Sequence, residues 1–233
     1  MSQIEKNLEA ILARIRSASS LHGRDPESVT LVAVSKTHPA ESVRQAWDAG
    51  QQVFGESRVQ EALTKIPLLP SQLAWHFIGH LQTNKIRKAL PFFSLFHGVD
   101  SLETATQMDR IAAESGAFPR VLLEINVSGE TTKFGFQPDF LRSRLETLLA
   151  LPRLQVVGLM TMAPISREPG SARPFFARLR ELRDELERLG GVPLPELSMG
   201  MSGDFEEGIA EGATLVRVGS AIFGERPRQL RGD

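Results

Sequence analysis

The sequence predicts a single (β/α)8 barrel with one extra helix in front, and three observations carry that prediction. About eight short apolar runs alternate with stretches of helical periodicity from residue 30 onward. The chain has 233 residues, 41% of them hydrophobic, and α/β barrels commonly use such a length as one unit. No interior linker, repeat or low-complexity tract breaks the alternation, so residues 1–233 read as one domain.

Each element has its own signal. Ile4, Leu8, Ile11, Leu12 and Ile15 recur at helical spacing, giving an amphipathic first helix that ends near Gly23. Leu31 to Val34 is a buried strand, continued by Ser35, Lys36 and Thr37, and a helix starts near His38 and Pro39. Val43 to Ala49 is helical and closed by Gly50; Gln52 to Gly55 is a short strand; Val59 to Ile66 is helical before Pro67. Ala74 to Gly79 is a strand, Asn84 to Leu90 a helix stopped by Pro91, Phe93 to Val99 a strand, and Leu102 to Ala113 its helix. Arg120 to Asn126 is a strong strand, followed by a polar loop and a helix from Pro138 to Leu149. Leu154 to Met162 reads as a long strand. The helix after it, about Pro174 to Leu189, sets Leu179, Leu182, Leu186 and Leu189 on one core-facing stripe. Glu196 to Met199 and Thr214 to Gly219 are the last strands, and Ser220 opens a final short helix. Arg226, Arg228 and Arg231 form a basic tail of solvated charge.

Composition excludes several functions. Lys plus Arg (27) nearly cancels Asp plus Glu (28), so no bulk field favours nucleic acid or an anionic membrane. With no cysteine there is no disulfide, thiol catalysis or thiolate metal site. Glu5 and Glu9 interrupt any signal-peptide core, and no apolar run approaches bilayer length. A soluble cytoplasmic protein is expected.

In a barrel of this kind, the ends of the strands and the loops after them form the usual site face. Those ends present Lys36, Glu56, His76 with Gly79, Asn126, Met160, Ser198 with Ser202, and Arg217 with Gly219 and Ser220. A lysine at the end of a buried strand either snorkels to solvent or meets a ligand as an amine available for Schiff-base chemistry. Ser198 to Gly203 and Arg217 to Ser220 are small-residue turns from strand to helix. Such turns either cap a helix or close backbone N–H groups and hydroxyls on a phosphate. An amine for an aldehyde, set opposite a phosphate cradle, suggests pyridoxal 5′-phosphate (PLP). Arg217 is then placed to face the pyridine nitrogen; the alternative that the sequence leaves open is an ion pair with a carboxylate such as Glu225. His76 and His80 flank a strand end rather than ride a helix, which argues against zinc. Asp204, Glu206 and Glu207 read as complements to a helix dipole.

Several segments together resemble the pyridoxal phosphate homeostasis protein family, single-domain relatives of the alanine racemase barrel domain. They are Ala33 to Thr37, Phe54-Gly55-Glu56, Val59-Gln60-Glu61, and Trp75 to Gly79 continuing through Leu81-Gln82 and Asn84-Lys85. Asn126-Val127-Ser128 with Lys133 and Gly135, Gly158 to Met160, Ser198 with Gly200 to Ser202, and Arg217 to Gly224 complete the likeness. The resemblance implies an internal aldimine at Lys36, with phosphate held by Ser202, Gly219 and Ser220, Arg217 at the pyridine nitrogen, and Met160 and His76 lining the pocket beside Ser198. It further implies a role in intracellular PLP and amino-acid balance without established turnover, with PLP-dependent apo-enzymes as candidate recipients of the cofactor. Two positions depart from the family pattern. Ser57 stands where Asn is usual, and His38 stands where some members carry lysine. Lys133 is a candidate for a second, transient cofactor lysine.

The rival readings are an amino-acid racemase of low activity and a class I aldolase. Racemase relatives use a lysine on one face and a tyrosine on the other, and this chain has no tyrosine, leaving His76 as the only substitute base. The chain also ends where a racemase would begin its second domain, through which those relatives dimerise, so a monomer is expected.

Overall fold

The computed structural model describes residues 1–130, 133–166 and 168–225. The three tail arginines named above lie outside them. The elements run α1 (Gln3–Leu21), β1 (Thr30–Val34), α2 (Ala40–Asp48), β2 (Val53–Glu56), α3 (Val59–Lys65), β3 (Ala74–Phe77), α4 (Ile86–Ala89), β4 (Leu95–Val99) and α5 (Leu102–Ser115). They continue with β5 (Arg120–Glu124), α6 (Pro138–Leu149), β6 (Gln155–Met160), α7 (Arg173–Gly190), β7 (Glu196–Ser198), α8 (Phe205–Ala210), β8 (Leu215–Val218) and α9 (Ser220–Phe223).

The eight strands are parallel and close in sequence order, with β1 pairing β8 from Thr30↔Leu215 to Ala33↔Val218. The barrel with an extra N-terminal helix is therefore observed. Helix α1 starts with a capping box between Ser2 and Glu5 and buries Leu8, Ile11 and Ile15. It packs against α8 and α9, across the seam where first and last strands meet. Helix α7 buries Phe176, Leu179, Leu182 and Leu186, so its leucine stripe is core packing; Leu189 lies beyond it, exposed.

Strands shorten relative to the sequence reading where side-chain chemistry changes. Strand β5 stops at Glu124 and β6 at Met160, so Asn126 and Met162 belong to loops. Helix α4 keeps only Ile86–Ala89, its first turn being a 3-10 segment over Thr83–Lys85.

The period-2 alternation of each strand separates two cores. Side chains facing the helices, among them Leu31, Ala33, Phe54, Phe77, Leu123, Leu159 and Val216, join one large apolar cluster. Those facing the barrel axis form a smaller one: Val32, Leu95, Leu122, Met160 and Leu215, with Val53, Ile78 and Val157 against them. The β5–β6 register shifts between Val121↔Val156 and Leu122↔Gly158, which leaves Val157 as the extra residue that still points inward. Above this apolar layer the same inward parity gives His76, His97, Glu124, Ser198 and Arg217, all buried. The barrel axis is thus apolar at one end and polar at the other, where the strands end.

Candidate functional site

Val32, Val34 and Lys36 share one side of the β1 line, because residues two apart point the same way. Lys36 thereby leaves the strand end toward the barrel axis, half-buried. It lines a cavity of about 280 Å³ together with Val34, His38, Ile78, Met162, Met201, Ser202, Gly203, Arg217, Gly219, Ser220 and Gly224. Lys36, Ser202, Arg217, Gly219 and Ser220, each singled out from sequence, meet around this one space. His76, Met160 and Ser198 do not line it. They sit in the buried interior layer, and Met162, two residues beyond Met160, takes the lining position.

The two small-residue turns are stitched together. Ser202 Oγ accepts from the Gly219 N–H at 3.3 Å and from Ser220 Oγ at 3.4 Å. Gly200 has a φ of 91°, and a Cβ there would come within 2.7 Å of the Phe205 backbone, so only glycine closes this turn. Asp204 accepts the Met201 N–H at 2.5 Å and so shapes the turn from within; it does not cap the helix through its side chain. Glu207 accepts N–H groups of Gly170, Ala172 and Arg173 and ties the start of α7, while Glu206 pairs with Arg14. Glu206 and Glu207 lie in the first turn of α8, as the dipole reading expects, and these contacts add to that role. The helices after the turns have six and four residues, so the local donors matter more than a macrodipole.

Arg217 is anchored beneath the cavity. Its Nη1 donates to Ser198 Oγ and its Nη2 to the Thr161 carbonyl at 2.9 Å. Among the described residues no carboxylate, Glu225 included, bonds it directly. Burial lowers its pKa to about 10, against the attraction of Glu124 and Asp204, so it stays a cation at neutral pH. Because guanidinium only donates, the Ser198 hydroxyl must point its proton elsewhere, to His97 Nδ1 at 2.8 Å. His97 Nε2 then donates to His76 Nδ1 at 3.0 Å, leaving His76 protonated at Nε2. Burial keeps both rings neutral: it lowers His76 to about 4 and holds His97 well below its ordinary value. His97 was legible only as a polar residue inside an apolar strand, and sequence reasoning passed it over.

A second cavity of about 530 Å³ adjoins the first, sharing Met162 and Met201. Glu124, Asn126, Glu130, Lys133 and Phe134 line it. Lys133 is ion-paired with Glu130 at 2.6 Å. Burial, then the nearby Asp100 carboxylate, push Glu124 up to about 7, against Arg217 and His80. His80 pairs with Asp100 and stacks on Phe134, and among the described residues no cluster of His, Asp or Glu suits a metal. Ser57 packs against the strand end after β3: a Cβ on Gly79 would meet the Ser57 carbonyl oxygen at 2.5 Å.

A lysine leaving β1 into a polar barrel mouth, closed opposite by two stitched turns, defines a class. The family model described as the alanine racemase N-terminal domain matches residues 6–227. Alanine racemase from Clostridium difficile superposes with a TM-score of 0.77 at 18% identity, over 96% of this chain and 58% of that one, a likeness of fold alone. Within that class, the chain belongs to the pyridoxal phosphate homeostasis protein family. Curated relatives of that name from Aquifex aeolicus and Pseudomonas aeruginosa are 45% and 46% identical, over 95% and 97% of this chain and 97% of each relative. PipY of Synechococcus elongatus, solved with PLP bound, has a TM-score of 0.82 and 41% identity over 95% of this chain and 100% of its own.

Proposed function

We propose that this protein is a one-domain cytoplasmic carrier that binds PLP covalently through Lys36 and serves intracellular PLP and amino-acid homeostasis without turnover. The observation that carries this reading is one cavity with a strand-end amine on one side and the Ser202, Ser220 and Gly219 turns on another. When bound, the cofactor supplies an aldehyde that condenses with a primary amine, losing water, and a phosphate that needs several donors. The donor set fits: Lys36 would be the amine, the Ser202 and Ser220 hydroxyls would hold the phosphate, and at Gly203 a Cβ would meet nothing within 4 Å, so there is open space beside them. Arg217, held by Ser198 and Thr161, directs a fixed positive charge into the cavity floor. It would face the pyridine nitrogen of the bound cofactor, where a guanidinium would disfavour protonation of that nitrogen. The protein acts as a monomer and hands PLP to apo-enzymes.

Racemisation needs a base on each face of the bound amino acid. The chain has no tyrosine, and His76 accepts a hydrogen bond from His97 outside the cavity lining, so neither supplies the second base. The test is spectroscopic. The purified protein mixed with PLP should absorb in the visible region, and borohydride should fix the label on Lys36. A Lys36→Ala variant that retained the reducible label at the same stoichiometry would overturn the assignment. In deuterium oxide the loaded protein should exchange the α-proton of L-alanine no faster than free PLP; rapid exchange abolished in His76→Ala would restore the racemase reading.

A further inference from the structure

Two glutamates of the family-like segments, Glu56 and Glu61, have no part in the cavity described above. They lie on the other side of β1, where Ser35 and Glu56 face the helices. Lys65, from the end of α3, is buried between them. Its Nζ donates to Glu61 Oε1 at 2.6 Å, Glu56 Oε1 at 2.8 Å and the Ser35 carbonyl at 2.9 Å. Glu56 Oε1 also accepts from Ser35 Oγ at 2.7 Å. Glu61 Oε1 also accepts the Thr37 N–H at 2.5 Å. The residues before and after Lys36 are therefore both tied to one charged network.

Thr37 is also, among the described residues, the non-glycine residue with positive φ, at 69°. A β-branched side chain avoids that region, so something must hold it there. Two contacts hold it: the His38 N–H donates to the Ser35 carbonyl at 3.1 Å and closes the turn, and Glu61 takes the Thr37 amide from outside. Burial is largest among the influences on both acids. It raises Glu56, against Lys65 and Ser35, but at Glu61 the Lys65 and Thr37 hydrogen bonds outweigh it and lower the pKa.

We propose that Glu61, braced by Lys65 and Glu56, is a positioning residue: by clamping Thr37 in the left-handed conformation it fixes the turn that aims the Lys36 amine into the cavity. This rests on the reading of Lys36 as the cofactor-binding amine and adds what orients it. The clamp acts through reach rather than charge, which separates two conservative variants. Glu61→Gln keeps an acceptor at the same length; Glu61→Asp keeps the charge but is one methylene short.

The experiment mixes full-length protein with PLP and follows visible absorbance in a stopped flow, with melting temperature recorded for each variant. Glu61→Asp should slow covalent capture about tenfold, the factor that a left-handed strain of roughly 1.4 kcal/mol implies. Glu61→Gln should stay within about threefold of the parent. Adding Thr37→Gly to Glu61→Asp should restore most of the rate, because glycine adopts positive φ without a holder. A network that only stabilises the fold would lower melting temperature in both variants, and glycine would not rescue capture; that pattern overturns the proposal. A second readout needs no cofactor: trinitrobenzenesulfonate labelling of each lysine, resolved by peptide mass spectrometry. Lys36 labelling relative to Lys85 and Lys88 should rise in Glu61→Asp as the amine leaves its place, and an unchanged ratio overturns the proposal. A parent that labels normally but captures no PLP would instead sink the functional reading, with the labelling ratio still deciding the clamp.

Discussion

Two lysines meet the end of β1 from opposite sides, and their surroundings assign them different work. Lys36 points to the barrel axis, half-buried, into a cavity with hydroxyls and an arginine. Lys65 approaches from α3 on the outside, buried, with its three donors committed to two carboxylates and a carbonyl. An ammonium held by three acceptors is structural, whereas an amine facing a water-accessible cavity can react. The difference lies in which side of one strand each side chain reaches, since both residues are the same molecule otherwise.

The largest test of that contrast is to break the outer lysine. Lys65→Met leaves the buried Glu56 and the half-buried Glu61 without their cation, and removing one member of a buried pair such as Lys65–Glu56 costs roughly 3–5 kcal/mol. Urea unfolding should show a loss of that size, with the slope of the transition unchanged. Lys36→Ala should change stability far less while abolishing covalent PLP. Equal losses in the two variants would erase the distinction.

The polar interior layer gives the next effect, through pH. Between pH 4.5 and about 7 the folded chain keeps a proton on Glu124 that the unfolded chain has released. The stability tied to that proton is complete below pH 4.5 and lost as pH rises through 7. Glu124→Gln removes this loss, so relative to the parent it should gain roughly 2–4 kcal/mol as pH rises through that window. Parallel stability curves for variant and parent from pH 4 to about 8 would show that Glu124 ionises normally.

The smallest effects belong to the cradle facing Lys36. Ser202→Ala or Ser220→Ala removes one hydroxyl and leaves the backbone N–H groups, so each should weaken PLP by about 1–3 kcal/mol, the range for a hydrogen bond to a charged group. Ser202→Ala should cost more, because Ser202 also accepts from Gly219 and Ser220. Equilibrium titration with PLP and with pyridoxal reads this directly. If the two ligands bind equally, the turns are helix caps only.

Much of this was written in the order of residues. The alternation of apolar runs and helical stripes determined the barrel, because strand and helix periods are local properties of a sequence. The same alternation placed Lys36, Arg217, Ser202, Gly219 and Ser220 at strand ends, and the structure gathers them around one cavity. What local pattern does not contain is which strand-end side chain reaches how far. Inward parity took Met160, His76 and Ser198 into the interior layer, and the earlier end of β6 put Met162 at the cavity. Nor does spacing reveal that Arg217, Ser198, His97 and His76 form one hydrogen-bonded chain, since its members come from β8, β7, β4 and β3. The pairing of Lys65 with Glu56, and Glu61's hold on Thr37, likewise exist only once α3 lies against β1 and β2. Sequence determined the elements and the chemistry at their ends; closure of the barrel decided which ends share a space, because only that brings residues distant in the chain within hydrogen-bond reach.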